Sequence, residues 1–92
     1  MAYFAIEYVY DTTKGPQMDE VRPEHRAFLG SLCEEGKIVA SGPLVDQGRA
    51  LILFNADSPE DALTALDADP FYTNGFILDR IARQWDPVIR SF

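Results

Sequence analysis

Apolar and polar positions recur along the chain in a pattern that divides it into six regular stretches. Residues 2–10, AYFAIEYVY, are rich in aromatic and β-branched side chains and predict a strand. Residues 11–20, DTTKGPQMDE, are polar with Gly-Pro inside and predict a loop. Over 22–36, RPEHRAFLGSLCEEG, the residues His25, Phe28, Leu29 and Leu32 share one face of a 3.6-residue period, which predicts a helix. Pro23 suits its first position and Gly36 its stop. KIVASGPL (37–44) predicts a strand that breaks at Gly42-Pro43, VDQG (45–48) a turn, and RALILFNA (49–56) a strand apolar on both faces. SPEDALTALDAD (58–69) predicts a second helix, with Ser58 as N-cap, Pro59 in the first position and Glu60 and Asp61 in the first turn. Its inner face is Ala62, Leu63 and Leu66, and Asp69 continues that face. PFYTNG (70–75) predicts a turn, and FILDRIARQW (76–85) a last strand before Pro87.

The order is β-α-β-β-α-β, the split βαβ arrangement of a ferredoxin-like α+β fold, and it accounts for residues 1–92 as one domain. Crossovers of one hand lay both helices on the same face of the sheet. The helices then run antiparallel, so the first turn of one and the last turn of the other lie at the same end. Ser41-Gly42-Pro43 ends its strand there too, framed by 11–20 and 70–75. Asp69 is poorly placed at a helix C-terminus, where a carboxylate costs a few tenths of a kcal/mol up to about 1. A partner across the gap offsets that cost, and His25 is the candidate.

A carboxylate in hydrogen-bond reach of an imidazole fixes its tautomer and leaves the other ring nitrogen free as a base. Such a base suits proton abstraction beside a carbonyl, elimination, isomerisation or hydrolysis. Ser41 offers a hydroxyl, and the Gly42 N–H a donor to a developing oxyanion. Arg22 flanks His25 and is placed to attract an anionic ligand, whereas Arg26 reads as a solvated surface charge. Tyr8, Tyr10, Phe71 and Tyr72 lie at the same end, for packing or for lining an apolar pocket.

Composition narrows the choice. The formal charge of −7 repels a phosphate backbone, so nucleic acid is not an expected partner. One histidine, one cysteine and no glycine-rich phosphate loop give no support for a metal or a large cofactor, and none is expected. Cys33 has no partner for an internal disulfide, and no apolar run approaches the roughly 18 residues of a membrane span. With no charged-then-apolar leader, a cytoplasmic location without membrane attachment is expected. A chain of this size buries only roughly 60–65% of its unfolded surface, yet 47% of its residues are hydrophobic. The sheet face away from the helices is expected to be apolar and to pack against a second copy, with Trp85 and the tail through Phe92 helping to cover it.

The stretches RPEHRAFL, SGPL, DADPFYTNG and the closing W-D-P, in this order from YFAIEY to RQWDPV, resemble the YciI-like (YCII-related) family. The resemblance implies a dimeric ferredoxin-like α+β barrel with an active site built around a histidine and an aspartate. These correspond to His25 and Asp69, with Ser41, Gly42 and Pro43 lining the pocket. The turn after Leu44 is short, which implies an open pocket. The expected function is a cofactor-free lyase, isomerase or hydrolase acting on a small carbonyl or aromatic-derived metabolite, with His25 and Asp69 catalytic and Ser41, Gly42, Pro43, Phe71 and Arg22 binding the ligand. The alternative is a non-catalytic, small-molecule-binding or accessory dimeric module.

Overall fold

Alternation along β1 (Ala2–Tyr10) buries Phe4, Ile6 and Tyr8 and leaves Tyr3, Ala5, Glu7 and Val9 half-buried on the opposite face. The same period in β3 (Arg49–Ala56) buries Ala50, Ile52, Phe54 and Ala56. The two strands pair antiparallel with Phe4 opposite Phe54 and Ile6 opposite Ile52, so their large side chains meet on one face. Burying each such side chain contributes about 1.5–3 kcal/mol. In the computed structural model, which describes residues 1–92, β2 (Ile38–Leu44) and β4 (Ile77–Trp85) complete an antiparallel sheet of order β2-β3-β1-β4. That order, with helices α1 (Gly15–Glu34) and α2 (Pro59–Leu66) over the buried face, is the ferredoxin-like α+β fold. No helix is long and apolar enough to cross a membrane.

The structure departs from the sequence pattern in three places that matter for the site. The segment predicted as a loop over 11–20 is a single 3-10 turn (Thr12–Lys14) followed directly by α1. Pro16, not Pro23, sits at the helix start, and Met18 extends the buried stripe of His25, Leu29 and Leu32 by two turns. Pro23 is inside the helix on its exposed side, where the lost N–H bond faces water rather than a dry core. The helix predicted over 58–69 stops at Leu66, and the predicted turn over 70–75 contains a further short helix, α3 (Pro70–Thr73). Finally, β2 continues through Gly42-Pro43 instead of breaking there. It is an edge strand, and an edge tolerates a residue that cannot donate to a neighbour.

The outer sheet face is mixed, not apolar throughout. Ala5, Leu51, Leu53 and Ile81 lie beside Glu7 and Arg49, which form an ion pair of 2.9 Å. Arg83 and Asn55 add further polar positions at the rim. The C-terminal tail returns over one end of this face. There the Phe92 ring meets Tyr3 edge-on at 5.8 Å and Trp85 at 6.5 Å. At the opposite end, the turn between β2 and β3 closes against the segment after β1. Gly48 has φ +64°, its carbonyl accepts from the Tyr10 N–H at 3.0 Å, and a Cβ there would lie 2.8 Å from Thr12 Cγ2. Glycine permits both the backbone angle and the approach without strain.

Candidate active site

Asp69 explains its own position once α2 is seen to end three residues earlier. It is extended, with φ −58° and ψ 124°, and acts as the N-cap of α3: its Oδ1 accepts the Phe71 N–H at 3.0 Å. Pro70 then occupies the first helical position, where its missing N–H costs nothing. The expected C-terminal placement is therefore corrected to an N-terminal one, which favours a carboxylate. His25 likewise is not in a first helical turn but in the middle of α1, on its buried face. Neither residue sits where a helix terminus opposes its charge.

The two side chains meet. His25 Nδ1 lies 2.7 Å from Asp69 Oδ1, between residues 44 apart in the chain. Asp69 is fully buried, and His25 is 8% exposed. A carboxylate oxygen can only accept, so Nδ1 carries a proton, and in the neutral imidazole Nε2 then holds the lone pair. Nε2 makes no hydrogen bond within the chain, and no buried side-chain polar atom lacks a partner, so Nε2 is open to solvent. The Phe71 ring lies parallel to the imidazole at 3.8 Å and 3°, fixing its plane. The other Asp69 oxygen, Oδ2, accepts the Tyr8 hydroxyl at 3.0 Å. Three donors thus hold one carboxylate, from β1, from α1 and from the backbone of α3.

Tyr8 was identifiable only as a packing or pocket residue from the sequence. Its place on the inward face with Phe4 and Ile6 was the available signal, because a phenol on that face must find a buried partner. Burial, and then the Asp69 charge and hydrogen bond, push its ionisation well above the ordinary tyrosine range. Tyr10 is raised for the same leading reasons, burial first and the Asp69 charge second. Arg80 was not singled out by sequence. From β4 it pairs with Asp67 at 2.9 Å, donates to the Leu63 carbonyl at 3.2 Å, and lies 3.7 Å over the Tyr72 ring. It fastens the chain on both sides of Asp69. Tyr72 is thereby committed to Arg80 and lies away from the cavity.

A cavity of about 600 Å³ opens between α1 and the β2-β3-β1 side of the sheet. From α1 it takes Arg22, His25, Arg26, Leu29, Gly30 and Cys33. The sheet contributes Tyr8 and Tyr10 from β1, Ile38, Ser41, Gly42 and Pro43 from β2, and Ala50 and Ile52 from β3. Phe71 closes one end. His25, Ser41, Gly42, Pro43, Phe71 and Arg22 all reach this one cavity, and Asp69 lies directly behind His25. The Ser41 hydroxyl bonds to neither His25 nor Asp69. Arg22 lies 5.6 Å from the Phe71 ring centre and pairs with Asp19 one turn back on α1. Arg26, expected to be only a solvated charge, is exposed and also forms part of the wall. No group of three or more His, Cys, Asp or Glu side chains is arranged to hold a metal ion.

The Tyr8–Asp69 contact has a pH consequence. The phenol ionises at higher pH folded than unfolded, so its contribution to stability is complete below about pH 10 and is lost as pH rises toward the folded value. Tyr8→Phe is expected to lose about 1–3 kcal/mol at neutral pH, because a buried carboxylate oxygen loses its donor. It is also expected to flatten the alkaline limb of the stability curve. Denaturant melts of both proteins from neutral pH to above pH 10 check this, and parallel alkaline limbs would contradict it.

The profile of the YCII-related domain matches residues 1–86. The solved structure of 5-chloro-2-hydroxyhydroquinone dehydrochlorinase from Burkholderia phenoliruptrix, in complex with 2,5-dihydroxybenzoquinone, is similar in fold. The TM-score is 0.78 at 20% sequence identity, over 91% of this chain and 93% of that one. No curated protein matches by sequence. With the profile spanning nearly the whole chain and the fold agreeing, this protein belongs to the YCII-related domain family.

Proposed function

We propose that this chain is an enzyme in which His25 is the general base and Asp69 its orienting partner, acting on a small carbonyl or aromatic-derived compound. The observation that carries the reading is the 2.7 Å contact between Nδ1 and Oδ1, behind an Nε2 that is unbonded and open beside a ligand-sized cavity. Nε2 takes a proton from the ligand. The electron pair left behind either forms a double bond as a leaving group departs with its own pair, or shifts a double bond in an isomerisation. The Nε2 proton is then returned or released to water. Asp69 holds the ring and balances the charge of the imidazolium. A hydrolytic reaction uses the same base on water.

The ligand's contacts follow from the cavity wall. Phe71 keeps the imidazole face covered so that only its edge reaches the ligand, while Ser41, Gly42 and Pro43 form the opposite wall. Arg22 stands beside the base as a ligand contact. The similar fold is named as a dehydrochlorinase, whose reaction is an elimination, and its bound molecule is a hydroxylated quinone. Both suit a proton-abstracting site of this size and support the lyase type ahead of the others. No metal or cofactor is assigned a role in this chemistry.

The chain is also proposed to work as a homodimer joined through the outer sheet face. Ala5, Leu51, Leu53 and Ile81 make an apolar centre there, and the Glu7–Arg49 pair gives it a polar register mark.

Two experiments test these statements. In a screen of hydroxylated aromatic and carbonyl compounds, His25→Ala and Asp69→Asn are each expected to lower turnover by about 10²–10⁴-fold, with the folded state checked by circular dichroism. Unchanged turnover in either variant would end the catalytic reading. Sedimentation at micromolar concentration is expected to show a dimer, and Leu51→Glu with Leu53→Glu a folded monomer. A wild-type chain that sediments as a monomer would remove the dimer.

A further inference from the structure

The cavity wall differs in charge from the rest of the molecule. The chain carries 15 acidic residues against 8 Lys and Arg. Yet among the 15 residues that line the cavity there is no Asp or Glu, while Arg22, Arg26 and His25 all contribute to it. Asp69, behind His25, is fully buried and already accepts from three donors. A net charge of −7 raises the cost of admitting an anion anywhere that lacks local compensation. Keeping every exposed carboxylate off this one wall removes that cost locally.

The two arginines are available to a ligand. Arg26 has no ion-pair partner within the chain. Arg22 pairs only with Asp19, whose side chain is 71% exposed, and a pair so open to water contributes little and can be exchanged for a ligand's oxygens. Residues 22 and 26 stand one helical turn apart, with Cβ atoms about 5–6 Å apart. That spacing lets two guanidinium groups close on neighbouring oxygens. Both side chains line the same cavity as the Tyr10 phenol. Arg22 lies against the Phe71 ring, and Phe71 is stacked on His25. Through Phe71 the Arg22 guanidinium and the imidazole with its open Nε2 are therefore near neighbours.

We infer that the cavity selects a small planar oxyanion, a ring or unsaturated compound bearing a carboxylate or an ionised enol, whose charge Arg22 and Arg26 hold while its apolar part lies beside the half-buried Tyr10. This deepens the proposed function and rests on its choice of cavity, but not on the chemistry done there. Arg22 and Arg26 touch the ligand's charged end and set specificity, whereas His25 touches its reacting end. A neutral analogue of the same shape keeps the apolar contacts and loses the two charged ones.

Calorimetric titration tests this with three probes near neutral pH: 2,5-dihydroxybenzoate, 2,5-dihydroxybenzoquinone as its anion, and the neutral methyl 2,5-dihydroxybenzoate. At least one of the two anions is expected to bind about tenfold or more tightly than the ester, and the comparison between them shows whether a carboxylate or an ionised enol is preferred. Arg22→Gln and Arg26→Gln are each expected to weaken the anion by roughly three- to tenfold and to leave the ester unchanged. Added salt is expected to weaken the anion alone. His25→Gln separates this inference from the catalytic one: an anion preference kept in that variant supports it whether or not the wild type turns anything over. Equal or tighter binding of the ester, arginine variants that bind the anions as the wild type does, or no binding of either anion at millimolar concentration would each overturn it.

Discussion

One buried carboxylate organises this end of the molecule. Asp69 is reached by a phenol from the first strand, an imidazole from the long helix and an amide from the short helix it caps. A buried carboxylate with no partners would be costly, because burial removes the water that stabilises its charge. Here each oxygen has a donor, so the charge is held where it is needed. The arrangement also couples the elements. Moving α1, β1 or the α2–α3 junction leaves a polar group in the dry interior without a partner, at about 1–3 kcal/mol for each one lost. Arg80 reinforces the same junction from β4 through Asp67, the Leu63 carbonyl and the Tyr72 ring. The His25–Asp69 geometry is thus a by-product of the way three elements are tied to one side chain.

This explains how an acidic protein can present a basic, partly cationic cavity. Asp69 lends its charge to His25 from behind, without facing the cavity. The wall that does face the cavity carries arginine, aromatic rings and a strand edge. Phe71 serves both sides: its amide completes the coordination of Asp69, and its ring aligns the imidazole. The D-P-F triplet is therefore a single device, in which the carboxylate caps, the proline starts the helix and the phenylalanine packs on the histidine.

The alternation of β1 and β3, the Ser58 start of α2 and the element order were legible, because each depends on local periodicity or capping. The proximity of His25 and Asp69 was legible from topology, although the local reasoning behind it was wrong on both helix termini. The pattern carries the second helix through Asp69, whereas Asp69-Pro70 starts α3, and a helix end and a helix start draw on the same residue types. The start of α1 was missed because Gly15-Pro16 reads as a turn unless the buried stripe is extended back to Met18. Tyr8 and Arg80 could not be assigned from spacing alone. What they touch depends on strand register, which places them opposite each other on β1 and β4. The mixed character of the outer sheet face is not legible from the apolar centre of β3, because Arg49 and Asn55 lie at its ends, Glu7 comes from β1 and Arg83 from β4 beyond it.

The central claim is that Asp69 holds the proton of the imidazole on Nδ1 and leaves Nε2 as the base. The chain has one histidine, so its side-chain nitrogens give a single, unambiguous pair of ¹⁵N resonances. A long-range ¹⁵N–¹H correlation spectrum of the neutral form is expected to show a protonated Nδ1 and an unprotonated Nε2, with that preference lost in Asp69→Asn. A wild-type imidazole protonated on Nε2 would contradict the account.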